Sequence, residues 1–137
     1  MVANKKEANK TKVAREISQI FGGLESEQIA TLKEHVEVTK YKKGEMIYQC
    51  DETPTDAMCL LTGKVKIFKD GINGKSQIIR VIKPNEFFGF RAYFANEIYK
   101  TAAQALDTCT VVHFPLPVLM KLLQKSYKIG HYFIKYL

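Results

Sequence analysis

The stretch Val65-Lys66-Ile67-Phe68-Lys69-Asp70-Gly71-Ile72-Asn73-Gly74-Lys75-Ser76-Gln77-Ile78-Ile79-Arg80-Val81-Ile82 reads as two strands joined by a tip. Val65–Phe68 and Gln77–Ile82 are short runs rich in β-branched and aromatic residues, which suit a pleated, half-buried surface. Between them, the glycines and Asn73 of Asp70–Gly74 tolerate the positive φ that a hairpin tip needs.

The same texture extends in both directions from this hairpin. Met46-Ile47-Tyr48 and Ala57-Met58-Cys59-Leu60-Leu61 precede it, and Thr101-Ala102-Ala103-Gln104-Ala105 and Thr110-Val111-Val112-His113-Phe114 follow it. Turn chemistry separates them at Lys43-Gly44, Glu52-Thr53-Pro54, Thr62-Gly63 and Lys83-Pro84-Asn85. Short strands punctuated in this rhythm predict an all-β sandwich or barrel.

Helical periodicity appears only at the two ends. Val13, Ile17 and Ile20-Phe21 recur at helical spacing before Gly22-Gly23 stops them, and Ser26 is read as the N-cap of a second helix carrying Ile29, Leu32 and Val36. Beyond Pro115-Leu116-Pro117, Val118, Leu119, Leu122 and Leu123 restart the pattern. Ile129, Tyr132, Phe133, Tyr136 and Leu137 then share one face, with Lys128, His131 and Lys135 off it. That stripe is still apolar at Leu137, so truncation or completion by a partner is expected, and dimerisation along this helix follows from the apolar patch it would expose.

At 137 residues with 46% apolar content, one compact unit is the expectation. No apolar run approaches the ~20 residues of a membrane-spanning helix, and the polar start lacks a signal-peptide core, so a cytoplasmic protein with no membrane partner is expected. The net charge of +7 is concentrated at the ends. Residues 1–16 carry five bases and two acids, residues 121–137 four bases and no acids, and the middle is balanced. The lysines of residues 1–12 therefore read as a disordered, solvated leader. Cys50, Cys59 and Cys109 are widely separated and read as reduced, buried or half-buried thiols, without a metal site.

Five segments in order carry a resemblance. Phe21-Gly22-Gly23-Leu24, Tyr41-Lys42-Lys43-Gly44-Glu45-Met46-Ile47-Tyr48, Leu61-Thr62-Gly63-Lys64-Val65-Lys66-Ile67, Asn85-Glu86-Phe87-Phe88-Gly89 and Lys100-Thr101-Ala102 resemble the cyclic-nucleotide-binding fold, in the style of the sensor half of Crp/Fnr (catabolite activator) transcription regulators. The resemblance implies a mainly β fold with flanking helices: a double-stranded β-helix or jelly-roll, followed by a C-terminal dimerisation helix. It implies a leader over 1–12, a sensor domain over 13–123 and the start of the dimer helix over 124–137. A homodimer is implied, with DNA reached only through a helix-turn-helix domain missing from this chain.

The resemblance also implies a phosphate cassette at Phe88, Gly89, Phe90, Arg91 and Ala92, completed by Lys100, Thr101 and Ala102. Cyclic-nucleotide binders of this fold use a glutamate for the ribose directly after the glycine, and an arginine for the phosphate eleven positions after it. Phe90 and Lys100 stand there. Phenylalanine accepts no hydrogen bond, and lysine lacks the planar two-donor fork. No cAMP or cGMP binding is therefore expected. Two readings stay open: Arg91 and Lys100 serve an unidentified small anionic effector, or Phe90 fills the site as core while Arg91 reaches solvent.

No GxSxG, HExxH, GK[ST] or paired-carboxylate motif is present, and His35, His113 and His131 are scattered, so neither an enzyme nor a cofactor is expected. The function expected is effector sensing and dimerisation for a bacterial transcription regulator, with occupancy of the site shifting the C-terminal helices. The alternative is a stand-alone module of the same fold acting through protein–protein contacts.

Overall fold

The computed structural model describes the backbone of residues 2–135 and the side chains of residues 9–135. The chain divides into two compact units, where one was expected. One comprises residues 1–38 with 114–137 and is helical; the other, Thr39–His113, is built of strands. The physical reason is that apolar stripes at the two chain ends and the strands between them each bury side chains of their own.

In the helical unit, α1 spans Val2–Ile20, α2 Ser26–His35, α4 Leu116–Lys125 and α5 Tyr127–Lys135. Its buried positions include Val13, Ile17, Phe21, Leu32, Leu116, Leu119, Leu122, Ile129 and Phe133. The expected disordered leader over 1–12 is instead helical from Val2 onward. Lysine, glutamate and alanine are good helix formers, so the amphipathic segment around Val13 and Ile17 propagates backwards. Gly22 and Gly23 end it in left-handed backbone, with φ of +90° and +94°. The N-cap of α2 is Glu25 rather than Ser26: the Gln28 side-chain Oε1 accepts a bond from the Glu25 N–H at 3.2 Å.

A break separates α4 from α5 at Ser126. Ser126 is extended and buried, and its hydroxyl accepts from the Ile129 N–H at 3.5 Å, which caps the start of α5.

The strand unit holds two four-stranded sheets. One has the order β1-β8-β3-β6, with β1 at Glu37–Tyr41, β3 at Asp56–Thr62, β6 at Phe87–Phe88 and β8 at Cys109–Pro115. The other runs β2-β7-β4-β5, with β2 at Met46–Tyr48, β4 at Val65–Asp70, β5 at Ser76–Ile82 and β7 at Ala102–Ala105. The hairpin is antiparallel, with Val65 opposite Ile82 and Asp70 opposite Ser76. A core from both sheets includes Tyr48, Leu60, Val65, Ile67, Ile82, Phe88, Ala103 and Val111. This is the jelly-roll β-roll with flanking helices that was expected. No helix among the described residues is long and apolar enough to cross a membrane.

Candidate functional site

A cavity of about 310 Å³ opens in the strand unit beside β6 and the single turn α3, Arg91–Phe94. Seven of the eight cassette residues line it: Phe88, Gly89, Phe90, Arg91, Ala92, Lys100 and Thr101. Ala102 does not. It sits buried in β7, opposite Phe68 of β4.

Gly89 is required by its backbone, with φ of +79°. A Cβ there would fall 2.1 Å from the Met58 Cε and 3.3 Å from the Tyr99 hydroxyl. The Tyr99 hydroxyl donates to the Gly89 carbonyl at 2.6 Å, fastening the cassette to the segment before β7. Tyr99 also stacks on Tyr48, with centroids 3.9 Å apart and planes 16° from parallel. Asn85 and Asp51, which stand in turns, have φ of +72° and +76°, the left-handed backbone that short polar side chains tolerate.

Phe90 and Lys100 are the positions at which the resemblance implies a change from the cyclic-nucleotide binders. Phe90 is 2% exposed, and its ring meets Phe94 edge-on with centroids 6.2 Å apart. Lys100 is exposed, and its Nζ pairs with the Glu97 carboxylate at 3.0 Å. Arg80, also on the cavity wall, is held by Glu86 at 2.6 Å. Of the two open readings for Phe90, its burial matches the core role.

Burial raises the Tyr99 phenol well above its usual range, with the neighbouring Tyr48, Asp56 and Glu52 adding to it. Burial raises Tyr48 too, against a hydrogen bond with Thr101 that lowers it. The unfolded chain sheds these protons near pH 10.0, while the folded chain keeps them to higher pH. Stability is therefore complete below that pH and falls as pH rises beyond it. Urea unfolding is expected to give a flat profile to about pH 9 and a steep loss by about pH 11. Tyr99→Phe should cost about 1 kcal/mol at neutral pH, through the Gly89 carbonyl, and flatten the alkaline fall. An unchanged alkaline slope in that variant would mean that Tyr99 does not titrate out of the fold.

Several residues fall elsewhere than the sequence suggested. Ile129 and Phe133, expected on a dimer face, are buried in the helical unit itself. Phe21 packs on Phe133 with centroids 5.8 Å apart and on Tyr132, edge-on, at 5.3 Å. Phe21, just after α1, thus covers the part of the stripe at Tyr132 and Phe133; Tyr136 and Leu137 lie outside the described residues. Cys50 is exposed, while Cys59 and Cys109 are buried. His113 is half-buried, with its Nε2 2.9 Å from the Tyr41 hydroxyl and its Nδ1 3.6 Å from Asp56. Only the fold brings that trio together, since Tyr41 and His113 lie at opposite ends of the strand region.

Residues 38–126 match the cyclic nucleotide-binding domain family. A Haemophilus influenzae protein described as uncharacterized is 33% identical over 75 residues, covering 54% of this chain and 58% of that protein. The sensor domain of the transcriptional regulator DNR from Pseudomonas aeruginosa is 19% identical with a TM-score of 0.77, over 92% of this chain and 87% of that one. The Thermus thermophilus catabolite activator protein is 17% identical with a TM-score of 0.73, over 85% of this chain and 55% of that one. The chain thus spans little more than half the length of the Haemophilus protein and of the catabolite activator.

Proposed function

This chain belongs to the cyclic nucleotide-binding domain family, and from that membership we propose that it is the effector-sensing half of a Crp/Fnr-type bacterial transcription regulator whose pocket has given up cAMP and cGMP. The observation that carries the loss is Phe90, a buried ring at the position where the binders place a ribose-accepting carboxylate. Lys100 supports it, because its ammonium is already paired with Glu97 and lacks the two-donor fork for a cyclic phosphate. The likeness of fold to regulators supports the sensing role.

DNA contact belongs, on this reading, to a helix-turn-helix domain beyond Leu137, and the working form is a homodimer. With Ile129 and Phe133 covered, the dimer face moves to Tyr127 and Ile134, which are 82% and 72% exposed and seven residues apart on α5. Occupancy of the pocket then biases one of two dimer arrangements.

The test is a thermal-unfolding titration with cAMP and cGMP. A ligand at a hundred times its Kd adds about 2.7 kcal/mol to stability, several degrees in Tm. No shift at millimolar nucleotide is expected, and a clear upward shift would remove the reading. The codons after Leu137 test the regulator assignment: a helix-turn-helix there supports it, and a stop favours the module acting by protein contacts.

A further inference from the structure

We infer that the β4–β5 hairpin is a docking strip for an extended segment of another protein, apolar in its middle and acidic at both ends. β5 is the last strand in its sheet order and pairs with β4 on one side only. Its other edge presents backbone N–H and C=O groups that an added strand can use. Of its seven residues only Ile82 is buried.

The side chains along that edge are apolar. Ile78 is 54% exposed and Val81 39%, and Ile72 at the tip is fully exposed. The ladder shifts register at Ile79, with Ile78 opposite Phe68 but Arg80 opposite Ile67. That bulge puts Ile78 and Val81, opposite Phe68 and Lys66, on one face, away from the buried Val65, Ile67 and Ile82. An edge strand that faces only water commonly carries charge at such positions. This one keeps branched apolar side chains there, in a line along the strand, which is the shape of an extended chain.

The charge around that line selects the segment. Residues 65–83 hold Lys66, Lys69, Lys75, Arg80 and Lys83 against one acid, Asp70. Arg80 is held by Glu86, and the Lys66 ammonium lies 4.8 Å from the centre of the Phe68 ring. Among the described residues, Lys69, Lys75 and Lys83 make no ion pair. Lys75 and Lys83 bracket β5, eight positions apart. A second copy of β5, paired antiparallel about its midpoint Ile79, would set Lys75 against Lys83 at both ends, and like charges directly opposite are destabilising. A strand with carboxylates at those two places turns the same lysines into attractions.

The test is the fluorescence anisotropy of a labelled peptide titrated with the 137-residue protein. The peptide carries glutamate at each end, eight positions apart to match Lys75 and Lys83, and alternating valine and threonine between. Saturable binding is expected. Glutamine in place of both glutamates should weaken it about twofold to thirtyfold, the worth of two exposed ion pairs. Ile78→Thr with Val81→Thr keeps the β-branching, lies outside the cavity lining, and should weaken binding about tenfold or more with little change in Tm. Lys75→Glu with Lys83→Glu should reverse the preference, so that a lysine-ended peptide binds better than the glutamate-ended one. Failure to saturate by about 1 mM, or equal binding of glutamate-, glutamine- and lysine-ended peptides, would overturn the inference. So would a protein dimer that Ile78→Thr with Val81→Thr dissociates in native mass spectrometry, which would make a second copy the occupant. Sedimentation with phosphatidylserine vesicles that the same two changes abolish would overturn it in favour of a membrane surface.

Discussion

Replacing Gly63 with alanine is expected to lower stability by about 3 kcal/mol or more. Gly63 makes the turn from β3 to β4 with φ of +95°, and its added Cβ would lie 2.5 Å from the Thr108 carbonyl oxygen, 2.5 Å from the Cys109 Cβ and 2.8 Å from the Cys109 Cα. Left-handed backbone costs an L-residue about 1–2 kcal/mol. Overpacking adds about 1–3 kcal/mol. The second cost is hard to relieve, because two of the three atoms are backbone at the start of β8.

Gly74 is the control. Its φ is +73°, yet nothing lies within 4 Å of the added Cβ, so only the conformational cost of about 1–2 kcal/mol applies. Gly89 is intermediate, since its nearest clash is with the flexible end of Met58. Urea unfolding of Gly63→Ala and Gly74→Ala side by side measures the difference. Equal losses would show that β8 does not press on this turn.

Phe133→Ala is expected to cost about 3–5 kcal/mol, the range for removing a buried phenylalanine, without changing the oligomeric state. Phe133 is 2% exposed and lies against Phe21 within the helical unit. Ile134→Glu should do the reverse. Its position is 72% exposed, so stability should change by no more than about 0.5 kcal/mol. Under the proposed dimer, a carboxylate at the helix face would dissociate it. Native mass spectrometry with urea unfolding separates the two effects. If Phe133→Ala yields monomer at undiminished stability, the stripe through Ile129 and Phe133 is a dimer face after all.

Sequence periodicity showed that Ile129 and Phe133 share a face but carried no information about what covers it. The aromatic that does so, Phe21, is more than a hundred positions away in the chain. Six of the strands were legible as short runs bounded by turn residues, most of them rich in β-branched and aromatic side chains. Two were not read as strands. Glu37–Tyr41 is polar and mostly exposed or half-exposed, and Phe87–Phe88 is two residues long, so each is a strand because its neighbours pair with it. Of the eight residues named for the cassette, Ala102 lies in the ladder with β4, opposite Phe68, and the other seven line the cavity.

Turn chemistry and helical periodicity, which are local and repeat along the chain, were enough to read an all-β sandwich or barrel with helices at both chain ends, while the β-roll and the cassette were read from the family resemblance. The same resemblance aligned Phe90 and Lys100 with the glutamate and arginine of the binders. What those two residues do was decided by tertiary structure. Burial of Phe90 depends on surroundings assembled by the fold. The conformation of α3 and the segment after it brings Lys100 to Glu97. Local propensity can put a phenylalanine into a cassette, but only packing determines whether its ring leaves water.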